Sequence, residues 1–144
     1  MGSRLFEEIR EKRGLCYSVY AVDHAFADVT ILQLGSGLES AKCVEAYARM
    51  REIVDELRRD GTREEEVERA RAYAGGRLVL AFENSGAVAR HAAHQAIIYD
   101  DELDPDVAID AVDGVTFDEV VAVARGISEE LAVACVGPHA AADF

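Results

Sequence analysis

The chain has 144 residues, half of them hydrophobic, and a formal net charge of -13 at pH 7. This length is enough for a buried core in a single domain spanning residues 1–144, and the apolar fraction argues against a disordered chain. The acidic excess argues against nucleic acid and anionic membrane surfaces as partners, because both attract clustered Lys and Arg. No apolar run reaches the roughly 18 residues of a membrane span.

The first predicted element is an amphipathic helix over residues 3–12. Leu5, Phe6 and Ile9 recur at helical spacing and form its apolar face. Gly14 ends the helix, because glycine tolerates the positive φ that helix ends adopt.

An antiparallel hairpin is predicted next. Residues 16–22 alternate in the manner of a strand, which places Tyr17, Val19 and Ala21 on one face. A polar break separates them from a second strand over residues 28–34.

The rest of the chain is predicted to be mainly helical. Capping-box patterns mark two helix starts, Thr62 to Glu65 and Thr116 to Glu119. The apolar run Leu131–Val136 predicts a final, central strand. The predicted helices cover residues 40–59, 62–82, 86–99, 105–112 and 116–125.

This order of elements predicts an α+β fold. We expect a two-layer α/β sandwich, in which helices cover one face of a mostly antiparallel sheet. So few strands make a thin sheet, which is expected to need strands from elsewhere.

Three widely separated cysteines, Cys16, Cys43 and Cys135, lie in apolar surroundings. Their odd number and the absence of a Cys-x-x-Cys pair do not indicate a disulfide framework. We therefore expect buried free thiols, which favour a reducing, cytoplasmic location.

Arg10 and Tyr17 are the candidate functional pair. The turn between the first helix and the first strand can bring both side chains to one edge of the sheet. Arg offers fixed donors to a carbonyl or carboxylate, and a Tyr hydroxyl can donate to a developing oxyanion. The spacing alone favours the simpler interpretation, a solvated arginine on the helix and a tyrosine in the core.

The opening sequence resembles the C-terminal, non-metal half of the pitrilysin/insulinase family of zinc peptidases, which includes the mitochondrial processing peptidases. The segments Ser3–Phe6, Glu8–Leu15 and Tyr17–Val19 carry the resemblance, and weaker matches extend over most of the chain. It implies a mitochondrial-processing-peptidase-like half-domain and a substrate-binding, transition-state-supporting role for Arg10 and Tyr17. These residues would face a zinc site across a closed two-half chamber.

The sequence predicts no metal site in this chain, because the family's His-x-x-Glu-His motif is absent. His91 and His94 are spaced i, i+3 on one helix but have no adjacent glutamate base. His24 and His139 are expected at the surface. The resemblance therefore places zinc in the partner half and predicts that this chain alone is inactive. A small metalloenzyme using His91 and His94 is a separate alternative.

Family halves open with a strand that precedes the segment equivalent to Ser3–Phe6, so the first strand is expected to be missing here. An open sheet edge pairs readily with another chain. We therefore expect self-association, or docking to an N-terminal zinc-binding half or homologous subunit, with a peptide as substrate. The alternative function is a catalytically inactive scaffold or peptide-binding subunit of the same fold.

Overall fold

The computed structural model describes residues 3–26 and 28–144. It has the predicted α+β fold, and each predicted helix is confirmed within a few residues, although the first is π-helical. The elements are a π-helix (Phe6–Glu11), β1 (Cys16–Ala25), β2 (Thr30–Leu38), a 3-10 turn (Ser40–Lys42), α1 (Cys43–Asp60), α2 (Glu64–Phe82), α3 (Ser85–Tyr99), α4 (Pro105–Asp113), α5 (Phe117–Arg125) and a 3-10 turn (Ala141–Asp143).

The chain forms two compact units. The first contains the π-helix, most of the β1–β2 hairpin, α1 and the C-terminal segment Gly126–Phe144, and the second is built on Gly61–Arg125. None of the described helices combines the length and the apolar composition needed to cross a bilayer.

A small apolar cluster holds the first unit together. Ile9 of the π-helix is completely buried, and it is the largest side chain in the described residues with that property. Half-buried hairpin residues, among them Cys16 and Val19, pack against this cluster. Its buried members are Leu5, Ile9, Leu15, Ala46 and Ile53.

A β-bulge interrupts the hairpin at Tyr17. Cys16 pairs with Leu38 and Ser18 pairs with Gly37, so one extra residue of β1 lies between two consecutive pairs. The predicted face shared by Tyr17 and Val19 is therefore wrong: Val19 packs on the core, whereas Tyr17 is 85% exposed. An extra residue shifts the two-residue alternation, and such bulges re-aim a side chain.

The absence of a side chain at Gly35 leaves space for the Tyr20 ring. The two residues are cross-strand partners, and a Cβ at position 35 would collide with the tip of the tyrosine ring. The Tyr20 ring occupies the space of a side chain at position 35. This position therefore requires glycine because the ring approaches closely, and not because of its backbone conformation.

Gly35→Ala is expected to destabilise the chain by about 1 kcal/mol, at the lower end of the overpacking range, because the half-exposed Tyr20 ring can swing aside. Urea unfolding would measure the change. Gly76→Ala is the matched control, since its Cβ would meet open space in a helix, where alanine is preferred. Equal stability of Gly35→Ala and the wild type would contradict the collision.

Charged side chains connect the π-helix to α1. The Glu8 carboxylate accepts hydrogen bonds from Lys12 Nζ at 2.6 Å and Arg49 Nη2 at 3.4 Å. Arg49, whose side chain is only 16% exposed, also binds Glu56 and Glu52 at 2.9 and 3.0 Å. The Lys12 hydrogen bond, with help from the Arg49 charge, lowers the pKa of Glu8 below its ordinary value.

Glu8→Gln is expected to lower the melting temperature at pH 7. Because folding lowers the pKa of Glu8, its carboxylate stabilises the fold at pH values above about 4.3, the ordinary pKa of glutamate. This stabilisation is lost as the pH falls below that value. The difference from the wild type should therefore shrink below about pH 4 in thermal melts. Glu11→Gln, a change at an exposed carboxylate of the same helix, should have a smaller effect. A pH-independent difference would exclude this linkage.

The helices of the second unit are joined by close contacts and caps. Buried Gly75 of α2 lies against α4, where an added Cβ would be 3.4 Å from Asp113 Oδ1. Arg71 donates to the carbonyl of Asp113, the last residue of α4, and to that of Val115 just beyond it. The Thr116–Glu119 capping box is confirmed by bonds in both directions.

Two other expectations are corrected. At the start of α2 the reciprocal carboxylate is Glu66, which accepts from the Arg63 amide at 3.0 Å, and not Glu65. The segment 131–136 is not a strand: within the described residues it has no strand partner, and Val136 is fully exposed. Apolar composition favours a strand, but only a neighbouring strand supplies the ladder of hydrogen bonds.

Candidate functional site

The junction between the π-helix and β1 fixes the backbone of the candidate pair. Gly14 has φ of +59°, and the amides of Gly14 and Leu15 donate to the carbonyls of Arg10 and Ile9 at 3.1 and 2.9 Å. These bonds close the helix end in the way that left-handed glycine caps do. Leu15 is turned inward next to Ile9, and the chain enters β1 directly.

Arg10 and Tyr17 lie side by side at this junction. The Arg10 guanidinium carbon is 5.6 Å from the centroid of the Tyr17 ring and 5.0 Å from that of Phe6. Both distances fall within the range of about 6 Å for a cation–π contact. Tyr17 is therefore not a core aromatic, and Arg10 is not an isolated surface charge.

A groove of about 450 Å³ adjoins the Tyr17 side chain. Its wall includes Lys42, whose ammonium donates to the Gly14 carbonyl at 3.2 Å and lies 3.8 Å from the Glu39 carboxylate. Sequence reasoning did not single out Lys42, because it is brought here by the turn between β2 and α1. The lining residues are Gly14, Leu15, Cys16, Tyr17, Ser18, Gly37, Leu38, Glu39 and Lys42.

His91 and His94, the helical pair considered as an alternative metal site, both contact aromatic rings. The His91 ring packs edge-on against Phe82 at 5.5 Å, and the His94 ring packs against Tyr99 at 5.8 Å. Across the described part of the chain, neither joins a group of three metal-ligating side chains. These residues therefore do not fit the zinc site of a peptidase.

A second cluster was missed by sequence reasoning. The Sγ atoms of Cys43 and Cys135 are 3.6 Å apart, and a His139 ring nitrogen lies within 4.8 Å of both. Burial, followed by the hydrogen bond with Cys135, raises the pKa of the Cys43 thiol. The sequence spacing does not indicate this cluster, because Cys135 and His139 follow Cys43 by 92 and 96 positions.

The same cluster corrects two expectations about burial. Cys135 is exposed, and Cys16 and Cys43 are only half-buried, so the cysteines are not the fully buried thiols predicted. His139 is half-buried instead of exposed, because the C-terminal segment folds back toward α1.

Comparisons with known proteins agree with the resemblance noted in the opening sequence. The profile of the family described as "Peptidase M16 inactive domain" matches residues 1–73, which include Arg10 and Tyr17. The chain is 31% identical over 139 residues to an uncharacterized zinc protease of Streptomyces coelicolor and 27% identical to another of Bacillus subtilis. Each alignment covers 96% of this chain.

The chain spans only about a third of these relatives, 30% of the first and 34% of the second. A crystal structure of a conserved protein from Enterococcus faecalis superposes with a TM-score of 0.68 at 24% identity, over 85% of this chain and 28% of that one. This likeness shows the fold. The profile match over half of the sequence shows the family: the chain belongs to the peptidase M16 family, as a domain of its inactive, C-terminal type.

Proposed function

We propose that this chain is the substrate-binding half of a zinc metalloendopeptidase and works with a separate zinc-binding half. The observation that carries the proposal is the exposed pair at the start of β1, where the Arg10 guanidinium lies against the Tyr17 ring. The domain type and the zinc-protease names of the relatives support the reaction class.

The chemistry of the pair suits an extended peptide. The guanidinium carries five donors in a fixed plane, and the Tyr17 hydroxyl is a further donor at the surface. Peptide carbonyls are acceptors, and the carbonyl under attack develops negative charge that such donors stabilise. Contact with Arg10 limits the motion of the Tyr17 ring, so the hydroxyl is held in place before substrate arrives.

The groove beside Tyr17 gives the peptide a place to bind. Its volume of about 450 Å³ lies within the roughly 300–1,000 Å³ of small-molecule pockets. Leu15 and Leu38 supply apolar wall, while Lys42 and Glu39 supply charges of both signs. A peptide whose carbonyl meets Tyr17 can place a neighbouring side chain in this groove.

The catalytic zinc and the general base belong to the proposed partner half. Such a half supplies a metal that polarises the scissile carbonyl, and this chain supplies binding and orientation from the other side. The relatives, which are about three times as long, have room for both halves. We therefore expect this chain by itself not to hydrolyse peptides.

Tyr17→Phe tests the role of the hydroxyl. The chain would be mixed with a separately expressed domain carrying His-x-x-Glu-His, and cleavage of a fluorogenic peptide would be followed. Loss of an oxyanion donor is expected to lower kcat by on the order of 10²-fold, with a smaller change in KM. Tyr20→Phe is the matched control, because it removes a hydroxyl from the same hairpin outside the pair.

Two results would contradict the proposal. One is cleavage that is equally fast with Tyr17→Phe and Tyr20→Phe. The other is a stable assembly of both halves, shown by sedimentation, that binds zinc but does not cleave. The second result would favour the inactive scaffold or peptide-binding subunit of the same fold.

A further inference from the structure

The side chains of Cys43, Cys135 and His139 converge on one point in the first unit. Cys43 is the first residue of α1, whereas Cys135 and His139 lie on the C-terminal segment that returns to this helix end. One ligand atom from each residue lies within 4.8 Å of the other two. Within the described chain this is the one group of three potential metal ligands.

Aromatic packing holds the histidine in this position. Tyr47 lies one turn after Cys43 on α1, and the Phe144 ring packs edge-on against it at 5.4 Å. The same Phe144 ring packs against His139 at 5.6 Å. The C-terminal rings therefore join the helix face that carries Cys43 to the imidazole.

Backbone hydrogen bonds and a neighbouring glycine also fix the position of the His139 ring. The His139 amide donates to the Gly137 carbonyl at 2.9 Å, and the Ala140 amide donates to Asp143 Oδ2 at 2.8 Å. A Cβ at Gly137 would lie 3.0 Å from His139 Cδ2, which is closer than side chains normally pack. The glycine leaves room for the imidazole to turn back over the chain toward the cysteines.

The separation of the two sulfur atoms matches a shared metal ion. Two thiolates on a tetrahedral zinc, with Zn–S of about 2.3 Å, lie about 3.8 Å apart. The observed 3.6 Å is close to this value and far from the roughly 2.05 Å of a disulfide bond. Thiolate and imidazole together are the donor set that Zn²⁺ prefers, whereas Ca²⁺ and Mg²⁺ require oxygen.

We propose that Cys43, Cys135 and His139 bind one thiophilic divalent ion, Zn²⁺ or an ion of similar preference, with solvent as the fourth ligand. Cys135 is exposed, so the open position faces water. The ion would fasten the C-terminal segment to the start of α1. This site uses none of the residues proposed to bind peptide and does not depend on the proposed function.

Cobalt provides the direct probe, because thiolate ligands give Co²⁺ an intense charge-transfer absorption. The fully reduced, metal-free chain is expected to bind one equivalent of Co²⁺ with this absorption, and Zn²⁺ should displace it. Cys43→Ser and Cys135→Ser should abolish the signal, whereas Cys16→Ser, at a cysteine outside the cluster, should retain it. His139→Gln should weaken Zn²⁺ binding by at least about tenfold, since loss of a residue that only hydrogen-bonds to a metal ligand already costs about 10- to 100-fold.

Alkylation keeps the test decisive if a variant fails to fold. In the wild-type chain, Zn²⁺ should protect Cys43 and Cys135 from iodoacetamide and leave Cys16 unprotected, as read by mass spectrometry. Absence of stoichiometric binding by the reduced chain would overturn the proposal. So would cobalt absorption that persists in the Cys43→Ser, Cys135→Ser double variant, or protection of Cys16 alone.

Discussion

Burial of Ile9 is the constraint on which the rest of the first unit depends. It is completely enclosed by the apolar cluster, and its carbonyl accepts from the amide of Leu15, which is also buried. These two inward residues fix both sides of the turn at Gly14. Arg10 and Tyr17 each lie within two residues of one of them, so the same packing that buries the core holds this candidate pair at the surface.

The β-bulge at Tyr17 also determines which side chains of β1 face the core and which face solvent. In an unbroken alternation, Tyr17 and Val19 would share a face, and the tyrosine would be directed toward the core. The extra residue lets Cys16 and Val19 both pack inward while Tyr17 remains outside, where the Arg10 guanidinium covers one face of its ring. A regular strand with Val19 on the core would also direct Tyr17 inward, and its hydroxyl would not be exposed. The β-bulge is therefore the irregular backbone feature that places Tyr17 at the surface.

Sequence reasoning succeeded where the signal is local. Helical periodicity, the cap at Gly14 and the Thr116–Glu119 box depend on neighbours within a few positions, and all are present in the structure. It failed where distant segments decide the outcome. The missing ladder at 131–136 and the approach of Cys135 to Cys43 depend on tertiary partners that no short-range pattern records. The resemblance to a family identified Arg10 and Tyr17, while spacing alone favoured a solvated arginine and a core tyrosine.

The groove beside Tyr17, proposed to bind peptide, and the cysteine–histidine cluster are adjacent in the chain. Lys42 donates to the Gly14 carbonyl at the groove, and the next residue, Cys43, supplies a thiol to the cluster. The two residues are consecutive, so the groove and the cluster share the backbone at the start of α1. Coupling between two sites requires such a shared element with differential contacts to each ligand. If both proposed sites are occupied, the 3-10 turn Ser40–Lys42, which leads directly into Cys43, is the segment through which one site would act on the other.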